Sequence, residues 1–178
     1  MKTTLSYGFA MALAGGVVTL ALYFLGYHTD PEKFSTSQWI GLPLYLAITV
    51  VLLVLGTRAR RDEVPASEEF GYGRALWAGV QIVFFGALFG AVINFAYVQF
   101  INTDFADVVV QSQAAKLEEK GMGATQVEQM ERMTRTMMKP GVFAFVTFIQ
   151  AALSGVVIAL ITSAFARRTA TTEPPALA

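Results

Sequence analysis

The chain predicts an all-α integral membrane protein: four transmembrane helices with an extracytoplasmic helical hairpin between the third and the fourth. Three observations carry that fold class. Residues 3–29, 34–57, 75–103 and 140–166 contain no Asp, Glu, Lys or Arg, and each run can hold the about 20 residues a helix needs to cross a bilayer. Hydrophobic residues make up 54% of the 178 positions, more than a soluble domain of this length needs. The polar segment between the third and fourth runs has helical rather than loop patterning.

The first span covers about residues 5–27. Lys2 and the small residues of Ala12-Leu13-Ala14 before Gly15 resemble a secretory signal. Cleavage there would leave a short apolar core and cut a continuing hydrophobic run, so the segment is read as a retained span. His28-Thr29-Asp30-Pro31-Glu32 reads as a polar turn whose proline stops the helix, with His28, the sole histidine, solvated within it. The second span covers about residues 39–57, with Pro43 in its first turn or two, where a missing amide donor costs least. Tyr27 and Trp39 fall at span ends, where amphipathic rings prefer the headgroup layer. The third and fourth spans cover about residues 75–100 and 142–165.

In the connection before the fourth span, Thr103 or Asp104 caps a helix to about Lys120, and Gly121 and Gly123 interrupt it. Thr125-Gln126-Val127-Glu128 has the form of a capping box opening a second helix to about Lys139. On it Met130, Met133 and Met137, with Val127 and Met138, share a face. Glu128→Arg132 and Glu131→Arg135 are pairs at spacing four on the other. Pro140 suits the first turn of the last span. Residues 1–168 form the membrane domain and 169–178 a disordered cytoplasmic tail.

Arg58, Arg60, Arg61 and Arg74 lie in the connection from the second to the third span, and Arg167 and Arg168 follow the fourth. The positive-inside bias then places both termini in the cytoplasm and the hairpin outside, in a multi-pass protein of the bacterial inner membrane.

Thirteen basic residues balance thirteen acidic ones, so no basic field favours nucleic acid. The absence of cysteine excludes disulfides, thiol nucleophiles and thiolate metal sites. Glu68 and Glu69 stand without a histidine or cysteine partner in sequence and read as an interfacial helix start rather than an acid catalyst. Methionine thioethers are soft copper(I) ligands, but without a dense array they read as adaptable packing. The expectation is therefore no catalytic site, no cofactor and no metal.

Helices in lipid associate by close packing, so small residues spaced four apart mark contact faces. The expected helix-packing residues are Gly79, Gly86, Gly90 and Asn94 on the third span and Ala151, Gly155, Ala159 and Ser163 on the fourth. The first span offers Gly8, Ala12, Gly15 and Gly16. Asn94 and Gln150 are expected to hydrogen-bond between helices. Met130, Met133 and Met137 form the expected contact face of the hairpin.

The order of these pieces resembles a bacterial membrane-protein family, that of domain of unknown function 4199 (DUF4199). The resemblance rests on three stretches: Glu69-Phe70-Gly71-Tyr72-Gly73-Arg74-Ala75 ahead of the third span, Tyr97-Val98-Gln99-Phe100-Ile101-Asn102-Thr103-Asp104-Phe105 at its exit, and the helix from Gln129-Met130-Glu131 to Met138-Lys139-Pro140. It implies four spans with an outside helical segment before the last, and it supplies no functional residues. The functional expectation is a non-catalytic membrane protein whose partners are lipid and a second copy or another membrane protein. The alternative is a small-solute or ion channel or carrier built as an oligomer.

Overall fold

A computed structural model describes residues 1–170; of the proposed tail, residues 171–178 lie outside the described part. The elements are α1 (Lys2–Phe24), α2 (Pro31–Asp62), α3 (Tyr72–Ala96), α4 (Phe105–Glu119), α5 (Ala124–Met137) and α6 (Pro140–Ser163). A π-helical turn, Tyr97–Ile101, continues α3 without a break. Among the described residues the fold is all-α, and α1, α2, α6 and α3 with its π turn are long and apolar enough to cross a membrane. Their outer faces carry Val17, Leu42, Trp77, Val92 and Leu153 exposed, the inverted distribution that a hydrocarbon solvent permits and water does not.

Two helix ends are set by glycines in the left-handed region. After α1, Gly26 has φ 82°, and the amides of Gly26 and Tyr27 donate to Tyr23 and Leu22 carbonyls at 2.9 Å each. After α4, Gly121 has φ 73°, and the amides of Gly121 and Met122 donate to Glu118 and Leu117. Both are Schellman closures, which satisfy the last carbonyls and reverse the chain.

The turn after α1 differs from expectation. Pro31 does not stop a helix but opens α2 at its first position, where its missing amide is no loss, and the Asp30 carboxylate caps the Glu32 amide at 3.0 Å. Helix α2 is consequently 32 residues long, about 48 Å at 1.5 Å per residue, well beyond a bilayer core. Pro43 therefore falls inside the helix. The predicted capping box is not formed: Gly123 occupies the N-cap of α5 with no side-chain bond, and Thr125 lies within the helix. Asp104 does occupy the N-cap of α4, again without a side-chain bond. Glu128 pairs with Arg132 at 2.6 Å, whereas Arg135 turns to Asp107 of α4 instead of Glu131.

Helix α3 is central, with α1 and α6 packed on it and α2 against α1. The α1–α3 crossing is close: a Cβ on Gly8 would stand 2.8 Å from the Ile82 carbonyl oxygen and 2.9 Å from the Gly86 amide nitrogen. Nearer the ends at Asp62, Tyr72 and Ser163, Leu53, Ile82, Val83 and Ala159 form one core. At the end holding Met1 and Arg168, Phe70, Ala75, Ala78 and Ala166 form another. There Phe70 and Arg168 exchange backbone hydrogen bonds at 2.9 and 3.0 Å. Arg168 Nη2 donates to the Val64 and Pro65 carbonyls, and Thr3 on α1 bonds to Glu63. The α2–α3 connection, both ends of the described chain and Arg74, which pairs with Glu68 at 2.9 Å, are thus gathered at one end. The α4–α5 hairpin sits at the other, against the first turns of α2.

Candidate functional site

The most concentrated polar chemistry lies at the hairpin end. The turn after α1 supplies His28, the π turn supplies Tyr97, and Asn102 follows it directly. All three are buried. Asn102 Nδ2 donates to the His28 carbonyl at 3.0 Å and to the Tyr97 hydroxyl at 2.9 Å. The hydroxyl, its acceptor role taken by Asn102, donates to His28 Nδ1 at 2.9 Å. With the hydroxyl as donor, the neutral ring accepts at Nδ1 and carries its proton on Nε2. The π turn is what brings the group together, since the Asn102 amide reaches back to the Tyr97 carbonyl at 2.8 Å and so turns both side chains toward the same point. Wider π-type turns recur where a helix must redirect side chains.

Aromatic rings enclose the chain. Phe105 of α4 packs edge-on to His28 at 5.5 Å and to Tyr97 at 5.7 Å, Phe34 of α2 lies 5.8 Å from Phe105, and Phe143 of α6 closes the far side at 5.8 Å. Val98, Val108 and Val109 complete the cluster. Burial lowers the His28 pKa to about 4, because no carboxylate faces the ring to repay desolvation of an imidazolium. Asp30, two residues on, is engaged by Lys33 at 3.2 Å. A neutral histidine bonded to the Tyr97 hydroxyl, with Phe34, Phe105 and Phe143 packed around it, joins five segments of the chain. Among the described residues no group of three His, Asp or Glu side chains converges.

His28 is thus buried, not solvated as the sequence suggested. Its partners lie 69 and 74 positions away, so spacing held no cue; the only sequence signal was the grouping of aromatic residues around Phe34, Tyr97 and Phe105.

The expected packing residues divide. A Cβ on Gly79 would meet Ala159 at 3.2 Å and Ser163 Oγ at 3.7 Å, and one on Gly155 would meet Val83 at 2.5 Å. These five residues form the α3–α6 contact, while Gly86 instead meets Met11 and Gly8 of α1. Gly90 has open space beside it and Ala151 is exposed, because α3 and α6 diverge toward the hairpin end. The divergence leaves an apolar groove of about 420 Å³ between Leu88, Val92 and Phe95 on α3 and Phe145 and Phe148 on α6. Asn94 is half-buried and Gln150 exposed, and neither side chain bonds another helix among the described residues. Polar bonds between the long helices are instead Thr19 Oγ1 with the Tyr45 hydroxyl at 2.8 Å and the Tyr72 hydroxyl donating to the Leu160 carbonyl at 3.0 Å.

On the hairpin, Val127 and Thr134 are the buried residues of α5, and Thr134 donates to Gln113 of α4 at 2.8 Å. Met130 is half-buried beside them, but Met133 and Met137 are 46% and 47% exposed. Two of the three methionines therefore face away from the rest of the chain.

A family model described as a protein of unknown function, DUF4199, matches residues 6–168. No curated protein and no solved structure matches the chain.

Proposed function

From the premise that the chain belongs to the DUF4199 family, whose function is unknown, we propose that it is a non-catalytic integral protein of the bacterial inner membrane acting through protein or lipid contacts. The observation that carries this reading is the way the charge-free spans meet. In the half nearer Met1 and Ser163 they close on one another through glycine contacts, Gly8 against Phe85 and Gly155 against Val83. Ion-coupled carriers place an ionisable group within the membrane; residues 3–29, 34–57, 75–103 and 140–166 hold no Asp, Glu, Lys or Arg, and Leu53, Ile82, Val83 and Ala159 pack the interface instead. What the chain offers a partner lies on its outside: the exposed apolar helix faces and the hairpin with Met133 and Met137 turned outward.

The same reading orients the protein with both termini in the cytoplasm and the hairpin outside. Support comes from the collection of Arg58, Arg60, Arg61, Arg74, Arg167 and Arg168 around the end where Phe70 pairs with Arg168.

A competing reading, an oligomeric channel or carrier, draws on Asn94, half-buried on α3 one residue from the Phe95 that lines the lateral groove. Solute and ion flux into liposomes containing the purified protein separates the two. The contact reading expects flux equal to that of empty liposomes. Flux above that level, lowered by Asn94→Leu, would replace it with the conduit.

A further inference from the structure

Helix α6 buries Gly155, Ala159, Thr162 and Ser163, and leaves its opposite side uncovered. On that side Val146, Gln150, Leu153, Val157 and Leu160 follow one another at spacings of four, three, four and three. This is the a/d alternation of a coiled-coil seam. All five are exposed, the four apolar ones by between 42% and 66%. Gln150 stands near the middle of the 24-residue helix. Its backbone carbonyl accepts the Ser154 hydroxyl at 2.8 Å, so Ser154 is satisfied within the helix. The carboxamide has no hydrogen-bond partner among the described residues.

In hydrocarbon that is an expensive position, since an amide without a partner carries the full cost of leaving water. We propose that the Val146–Gln150–Leu153–Val157–Leu160 face of α6 is a homodimer interface, in which the two Gln150 carboxamides hydrogen-bond to each other across a two-fold axis normal to the membrane. A second copy is the occupant that the chemistry selects. A carboxamide is both donor and acceptor, so a symmetric pair completes itself with no further residue type. Two copies inserted in one membrane have the same orientation, so the seams meet in parallel and in register. A single polar residue in an a position is the device that fixes register in such seams, and interhelical carboxamide bonds hold helices together in lipid. An acyl chain would cover the apolar residues and leave the amide unpaired.

This inference rests on the contact reading and names one contact. The chain has no cysteine, so single cysteines can be placed along α6 and oxidised in native membranes. Cysteine at Val146, Leu153 or Val157 should trap a dimer, and cysteine at Ala151, exposed but off the seam, should not. In lipid vesicles, Gln150→Leu should raise the dimer dissociation constant about 3–30-fold, and Gln150→Asn, which keeps the carboxamide, should raise it less. Absence of crosslinks, equal crosslinking at Ala151, or a Gln150→Leu protein that pairs as tightly as the parent would overturn the interface. Any of these outcomes would leave the contact reading standing with a partner of another kind; the liposome flux measurement alone decides that reading.

Discussion

Replacing Gly8 by alanine probes the crossing on which the long helices are assembled. The added Cβ would lie 2.6 Å from Phe85 Cβ, 2.8 Å from the Ile82 oxygen and 2.9 Å from the Gly86 nitrogen. Two of these neighbours are backbone atoms, which no rotamer change moves aside. Ordinary carbon contact is about 3.5–4.0 Å, so α1 and α3 would part by about 1 Å and loosen the packing around Met11 and Ile82. Overpacking of this kind costs about 1–3 kcal/mol, and alanine returns about 0.5–1 kcal/mol of helix preference over glycine, for a net loss of about 1–2 kcal/mol. Gly90→Ala is the matched control: nothing lies within 4 Å of its Cβ position, so only the helix gain applies. Reversible unfolding in mixed detergent micelles should show the folding equilibrium constant of Gly8→Ala lowered about 5–30-fold, with Gly90→Ala equal to the parent or better. A Gly8→Ala protein as stable as the parent would refute the close crossing, and so would an equal loss at Gly90.

Burial lowers the His28 pKa from 6.5 to about 4, so the unfolded chain takes up the proton first as the medium acidifies. The stability held by neutral His28 should be complete above pH 6.5 and fade as pH falls from there toward 4. Its ceiling is about 3 kcal/mol, reduced to about 1–2 kcal/mol by partial solvent access, and the corresponding slope in melting temperature should vanish in His28→Gln. On the hairpin, hydrogen exchange of α4 and α5 should accelerate in Val127→Asn, which buries an amide with no partner, and stay unchanged in Met133→Gln and Met137→Gln. Phe70→Ala, at a side chain 2% exposed, should cost about 3–5 kcal/mol and loosen the segment after α6, read by proteolysis near Arg167.

The four long helices were legible because charge-free runs leave a long helix no solvent but lipid or protein. Their ends were less so. Asp30-Pro31 reads as a stop, yet the same pair is a cap and first helical residue, and Gly26, whose positive φ makes the turn, gives no sign of its angle in sequence. Thr125 and Glu128 have capping-box spacing, but the chain was already helical from Ala124 once Gly123 had made the entry. Gly79, Gly155, Ala159 and Ser163 lie in the α3–α6 contact and Gly86 faces Met11 and Gly8 of α1. Their four-residue spacing could not say that Gly79 and Gly86 meet different helices, nor that α3 and α6 splay apart before Gly90. Period alone also left the rotation of α5 undetermined; the Thr134–Gln113 bond and Val127 turn Met133 and Met137 outward. The His28–Tyr97–Asn102 site was illegible because it is assembled across the whole sequence by a π turn.

All of this takes lipid as the solvent around α1, α2, α3 and α6 and proposes the hairpin on the far side from Met1 and Arg168. Labelling of single cysteines with a membrane-impermeant maleimide in intact cells of a double-membrane bacterium with a permeabilised outer membrane tests that claim most directly. Met122→Cys, on the exposed turn between α4 and α5, should be labelled without lysis, and Ala66→Cys, exposed between α2 and α3, only after it. Labelling of Ala66→Cys in intact cells, or protection of Met122→Cys until lysis, would contradict the account.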